Sequence, residues 1–146
     1  MPARRPASTT ASATIARLAE PARVGALGPI AGRFVHALRL VALYERARRD
    51  PVPELATRLG SVACAARALT LSQAIAATWP ENIHVSRFCC GLMSHDEATI
   101  GAMIDAAANR DREGFDAAIA GLIRPDRVER LWQAALGLVT AELSGA

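Results

Sequence analysis

Along the last third of the chain, apolar positions recur three and four residues apart. Ile100, Met103, Ile104, Ala107 and Ala108 form one stripe. Phe115, Ala118, Ile119, Leu122 and Ile123 form a second, and Val128, Leu131, Trp132, Ala135, Leu138 and Val139 a third. Each stripe matches the inward face of an amphipathic α-helix. Asp111 and the Pro125-Asp126 pair supply start signals for the second and third of these helices.

The same periodicity continues upstream. Phe34, Leu38, Val41 and Tyr44 keep helical spacing, and Val35, Leu40 and Leu43 widen the band. So broad a band predicts a central helix over 30–49, with His36, Arg39 and Arg46 on its narrower polar side and Pro51 and Pro53 ending it. His36 and Arg39 are three apart and so share a face; a histidine so placed reads as a surface or boundary group. Two more helices are predicted over 53–59 and 61–78, divided at Gly60 and closed by Pro80. Residues 82–88 alternate apolar and polar only roughly, which suits a short extended segment. Trp79 and Trp132 read as core anchors. At the N-terminal end, residues 1–12 carry two prolines, many small polar residues and no apolar period, and are expected to form a disordered basic arm. A short helix over 13–20 is stopped by Pro21. The expected fold is all-α: a compact helical bundle of about five to six short helices, with residues 13–146 as a single helical domain.

Composition modifies this picture in two ways. Apolar residues make up 51% of the chain but aromatics only 4%, and much of the apolar set is alanine. Small side chains bury little area each, so the helices must approach closely. Every one of the 17 basic residues is arginine, which suits a phosphate-binding surface or, with the enrichment in alanine, the codon usage of a GC-rich genome. The charge is uneven: nine arginines against Glu20 and Glu45 give residues 1–49 a net +7, while eight arginines against twelve acids give residues 50–146 a net −4. That asymmetry suits an acidic partner for the N-terminal part, protein or nucleic acid, or the docking of one half on the other. Self-association is a further expectation for a chain of this kind. No apolar run reaches membrane-spanning length, so no membrane span is expected. Three cysteines, two of them adjacent, make a poor disulfide framework and point to a reducing, cytoplasmic setting. Residues 1–19 are basic and free of acids, which fits a transit peptide as well as an arm.

The densest chemistry lies in HVSRFCCGLMSHDEATI, residues 84–100. Ser94-His95-Asp96-Glu97 stands directly before an apolar stripe and reads as a capping box, the serine oxygen accepting from the N–H of Glu97 and the glutamate reaching back to the N–H of Ser94. Asp96 and Glu97 also sit where negative charge favours a helix start. Both acids are thus explained without catalysis. Cys89 and Cys90 leave three readings open. They can be small buried apolar groups. With His84 and His95 they offer four donors of the kinds zinc takes, although adjacent cysteines diverge in extended chain. Alternatively Cys90, near Arg87 and His95, is a reactive thiol, since positive neighbours favour the thiolate form.

The run Cys89-Cys90-Gly91-Leu92-Met93-Ser94-His95-Asp96-Glu97-Ala98 resembles a motif in a family of small alphaproteobacterial helical proteins of unknown function. There a cysteine run is followed by two residues and then Met-Ser/Thr-x-Asp-Glu-Ala opening a helix. That family usually has a proline after the cysteines, where this chain has Gly91. The resemblance covers about a dozen residues, implies an all-helical fold and assigns no activity. Separately, PELATRLGSVACAARAL has the outline of a helix-turn-helix, with Gly60 in the turn and Arg67 and Gln73 on the reading helix as candidate nucleic-acid contacts. The leading expectation is a non-catalytic interaction or regulatory module. A metal- or thiol-dependent site at His84, Cys89, Cys90 and His95 and a DNA-binding regulator are the alternatives.

Overall fold

A computed structural model of the chain describes residues 22–145. The expected arm over 1–12 and the helix over 13–20 lie outside the described residues. Among those described there are six α-helices and no strand: α1 (Pro29–Arg46), α2 (Val52–Leu59), α3 (Val62–Thr78), α4 (His95–Ala108), α5 (Arg112–Ile119) and α6 (Pro125–Ser144), with a 3-10 turn at Val24–Ala26. The segment expected to be extended, 82–88, is irregular rather than paired; a lone β-bridge among the described residues joins Arg23 to Leu92. Among the described residues no helix is long and apolar enough to cross a membrane.

The helix starts follow from local chemistry. Pro29 and Pro125 occupy first-turn positions that need no N–H donor. Ser61 caps α3 by accepting from the N–H of Cys64, and Asp111 caps α5 by accepting from the N–H of Gly114. The ends are equally specific. Gly60 terminates α2 at φ 74°, the left-handed conformation that favours glycine. α1 ends three residues short of the expected Arg49 because Arg48 turns to φ 54°. The N–H of Arg49 bonds to the carbonyl of Tyr44 and that of Arg48 to the carbonyl of Glu45, the paired bonds of a Schellman motif. Arg110, at φ 56°, ends α4 in the same way through Ala106 and Ala107.

The helices enclose one continuous core. α3 packs most extensively on α6, α4 on α5, and α1 on α4. Phe34, Leu38, Leu71, Ile75, Ile104, Phe115 and Leu131 supply bulk, while Ala31, Ala65, Ala68, Ala107 and Ala135 are almost completely buried where helices meet closely. Trp79 is buried, as its sequence position suggested. Trp132 is half-buried and meets the edge of Phe115 at 5.0 Å. Between α3 and α4 the chain runs through residues 79–94 without regular structure, crossing the flank of α1.

Candidate functional site

A loop of this length presents many backbone polar groups, and those taken out of water need partners. Here one side chain supplies three of them. Arg39, in the middle of α1, is only 2% exposed. Its Nη1 donates to the carbonyls of Cys90 at 2.6 Å and Phe88 at 3.4 Å. Nη2 donates to the carbonyl of Leu92 at 3.0 Å and to Glu97 Oε1 at 3.1 Å, and Nε donates to Glu97 Oε2 at 2.6 Å. A guanidinium has five N–H donors, so each is used. Both side chains of the Arg39–Glu97 pair are fully shielded from solvent.

Glu97 has two roles at once. It completes the expected capping box: Ser94 Oγ accepts from the N–H of Glu97, and Glu97 Oε1 accepts from the N–H of Ser94 at 2.9 Å. The same carboxylate is the counter-charge of Arg39. Burial on its own raises the Glu97 pKa, but hydrogen bonds from Arg39, the Ser94 N–H and the Ser86 hydroxyl outweigh it and hold the carboxyl below its ordinary value. Asp96 is also a loop anchor, accepting from the N–H of His84 at 2.8 Å and from Trp79 Nε1 at 3.4 Å. Ser94 Oγ bonds to the carbonyl of His84. From the other side, the N–H of Val24 reaches the carbonyl of Gly91, and the N–H of Met93 reaches that of Ala22. The loop is therefore tied at both edges and through its middle.

Arg39 corrects the sequence reading, which put it on the polar side of its helix. It does lie on the stripe with His36, but the loop folds over that part of the stripe and His36 stays exposed. A partial signal was available: Arg39 sits between Leu38 and Leu40, and the long segment downstream has no helical pattern by which to pair its own carbonyls.

The four candidate metal donors are distributed along the loop surface. His84, Cys89 and His95 are exposed and Cys90 is half-buried. Among the described residues no three His, Cys, Asp or Glu side chains are grouped as metal ligands would be. Cys64, the third thiol, is buried in the core. Arg67 and Gln73 are exposed on α3 and border a groove shared with Arg130 and Gln133 of α6. Gly137 lies under Arg67: a methyl group there would meet its Nη1 at 3.4 Å. The proposed reading helix thus lies along the body of the bundle, with Gly60 in the preceding turn as expected.

What the anchored loop does create is a cleft of about 310 Å³ between α1, α2 and the turn at residues 87–90. Ala37, Leu40, Leu55 and Leu59 form its apolar side. Arg33, His36 and Arg58 supply polar groups, with Phe88 and Cys89 entering from the loop. The Phe88 ring has two close neighbours: His36 meets it edge-on at 6.0 Å, and the Arg58 guanidinium lies 4.8 Å above it. Among the described residues no acid lines this cleft. On the other flank of Phe88, Arg46 and Arg87 border a second hollow of about 280 Å³ beside the exposed Leu43. A thiol and an imidazole share the first cleft, without an acid among its lining residues to orient the imidazole as a nucleophile's base.

No family model, curated protein or solved structure matches the chain.

Proposed function

We propose that the protein is a non-catalytic binding module whose recognition face is the surface formed by α1 and residues 85–90, centred on Phe88. The observation that carries this reading is the Arg39–Glu97 anchorage. It fixes the loop backbone at residues 88, 90 and 92, so the cleft beside Phe88 exists before any ligand arrives. A preformed apolar concavity with a few convergent polar groups is the general form of a ligand site. Preorganisation also lowers the ordering cost of binding. The cationic lining agrees with the positive charge of the N-terminal third.

The test is ligand mapping by NMR. Uniformly labelled protein is titrated with a library of small acids, bases and neutral aromatics. The reading expects saturable shifts in the amides of residues 33–40, 55–59 and 86–90. Binders that map to the α3–α6 groove around Arg67 instead would refute it and favour the nucleic-acid reading.

A further inference from the structure

We infer that the cleft beside Phe88, taken as the recognition face proposed above, binds a small amphipathic carboxylate: a molecule with an unbranched or aryl apolar body and one anionic head. Size, lining and charge each point to this class. About 310 Å³ corresponds to roughly ten water volumes at about 30 Å³ each, enough for a ligand of about ten non-hydrogen atoms. The leucines of α1 and α2 offer that ligand a surface without hydrogen-bonding groups, so its body must be apolar. At the mouth Arg33 and Arg58 face the cleft beside His36, and among the described residues no acid lines it.

The two arginines are already partly engaged, on their outer sides. Arg58 Nε donates to Glu54 one helical turn earlier, and Arg33 donates through Nε and Nη2 to Glu142. Neither acid lines the cleft. The Arg58–Glu54 pair is solvent-exposed and so holds its partners weakly. Among the described residues the terminal amino groups of Arg58 make no hydrogen bond, and they stand against the Phe88 ring at the mouth. A carboxylate there accepts charge-assisted bonds from Arg58 while its chain lies over the half-buried Leu59, with the buried Leu40 and Leu55 as the floor beneath. Cys89 stands at the same opening and becomes a reporter of occupancy.

The experiment compares octanoate, octanol and octylammonium, which share a body and differ in the charge of the head. Binding is followed by amide shifts at residues 33–40, 55–59 and 86–90, and separately by the rate of Cys89 alkylation with iodoacetamide. Octanoate is expected to bind with Kd on the order of 0.1–1 mM, as suits about ten non-hydrogen atoms, and to slow alkylation of Cys89 more than that of Cys90. Octanol and octylammonium are expected to bind at least about tenfold more weakly, and Arg58→Gln to weaken octanoate about tenfold. Equal binding of octanol, or preference for octylammonium, overturns the carboxylate assignment while leaving the recognition face in place. Octanoate shifts confined to another surface, or Cys89 alkylation unchanged at saturating octanoate, also overturn it. The library titration reports on the face independently, so the two failures are distinguishable.

Discussion

Replacing Arg39 by methionine tests the central structural claim. The substitution keeps an unbranched apolar stem but removes the guanidinium. Two hydrogen bonds to Glu97 are lost, and the carbonyls of Phe88, Cys90 and Leu92 lose their donor. Glu97 retains only the Ser94 N–H and the Ser86 hydroxyl beside a charge fully shielded from water. Breaking a buried pair from one side costs about 3–5 kcal/mol, because the remaining charge is uncompensated. A domain of this size has about 5–15 kcal/mol in total, so the variant keeps its fold with a much smaller margin. With a urea m-value of about 2 kcal/mol/M, the midpoint falls by about 2 M, read by circular dichroism at constant m. Trypsin should cut after Arg87 at urea concentrations that leave the parent intact. The double variant Arg39→Met/Glu97→Met removes both charges, so it should be less destabilised than the sum of the singles by about 2 kcal/mol or more. A midpoint shift in Arg39→Met below about 0.5 M would refute the claim that this pair holds the loop, as would simple additivity in the double variant.

Three further predictions concern separate parts of the structure. Glu97 has a folded-state pKa below its unfolded value of about 4.5, so the stability it contributes is present above that value and is lost as pH falls through the folded one; Glu97→Gln should flatten this acid limb in urea midpoints measured from pH 6 downward, and an unchanged slope would contradict the assignment. Ser94→Ala removes both the cap of α4 and the bond to the His84 carbonyl, and thermal unfolding should report a loss of about 1–2 kcal/mol. Arg110→Gly relieves a left-handed residue at the end of α4 and should raise stability by up to about 1 kcal/mol in the same assay, a stabilising sign that most substitutions do not share.

Most of the architecture was legible because it depends on short-range chemistry. The stripes from Ile100 to Val139 fell on three helices, except that the second helix ends at Ile119 and leaves Leu122 and Ile123 in the following turn; Ser94, Asp111 and Pro125 marked the starts. Helix ends were less legible. Arg48 and Arg110 adopt a conformation usually given to glycine, and no local pattern distinguishes these arginines from those inside helices. The candidate site was the least legible part. Sequence spacing isolated residues 84–100, but it weighed Asp96 and Glu97 only as parts of a helix start. Their second partners, the His84 N–H and Arg39, are 12 and 58 positions away. Periodicity assigns a face to Arg39 but does not disclose that a loop will cover that face. The cleft depends on the same tertiary event, since α1, α2 and residue 88 meet only once the loop is in place.

The distance between Arg39 and Glu97 also orders events in time. Arg39 leaves the ribosome 58 residues before its counter-charge. At about 5–20 residues per second, that interval lasts roughly 3–12 s. Through it the guanidinium lacks its buried counter-charge, and the loop carbonyls, which emerge after their donor, have no helix cap to hold them on it. The nascent chain therefore carries all the residues of the cleft before it has a cleft. Arrival of α4 supplies the carboxylate and lets loop, helix cap and ion pair form together, so a pause after Cys90 but before Glu97 has left the ribosome would leave Phe88 and Cys90 without their cover at the same moment.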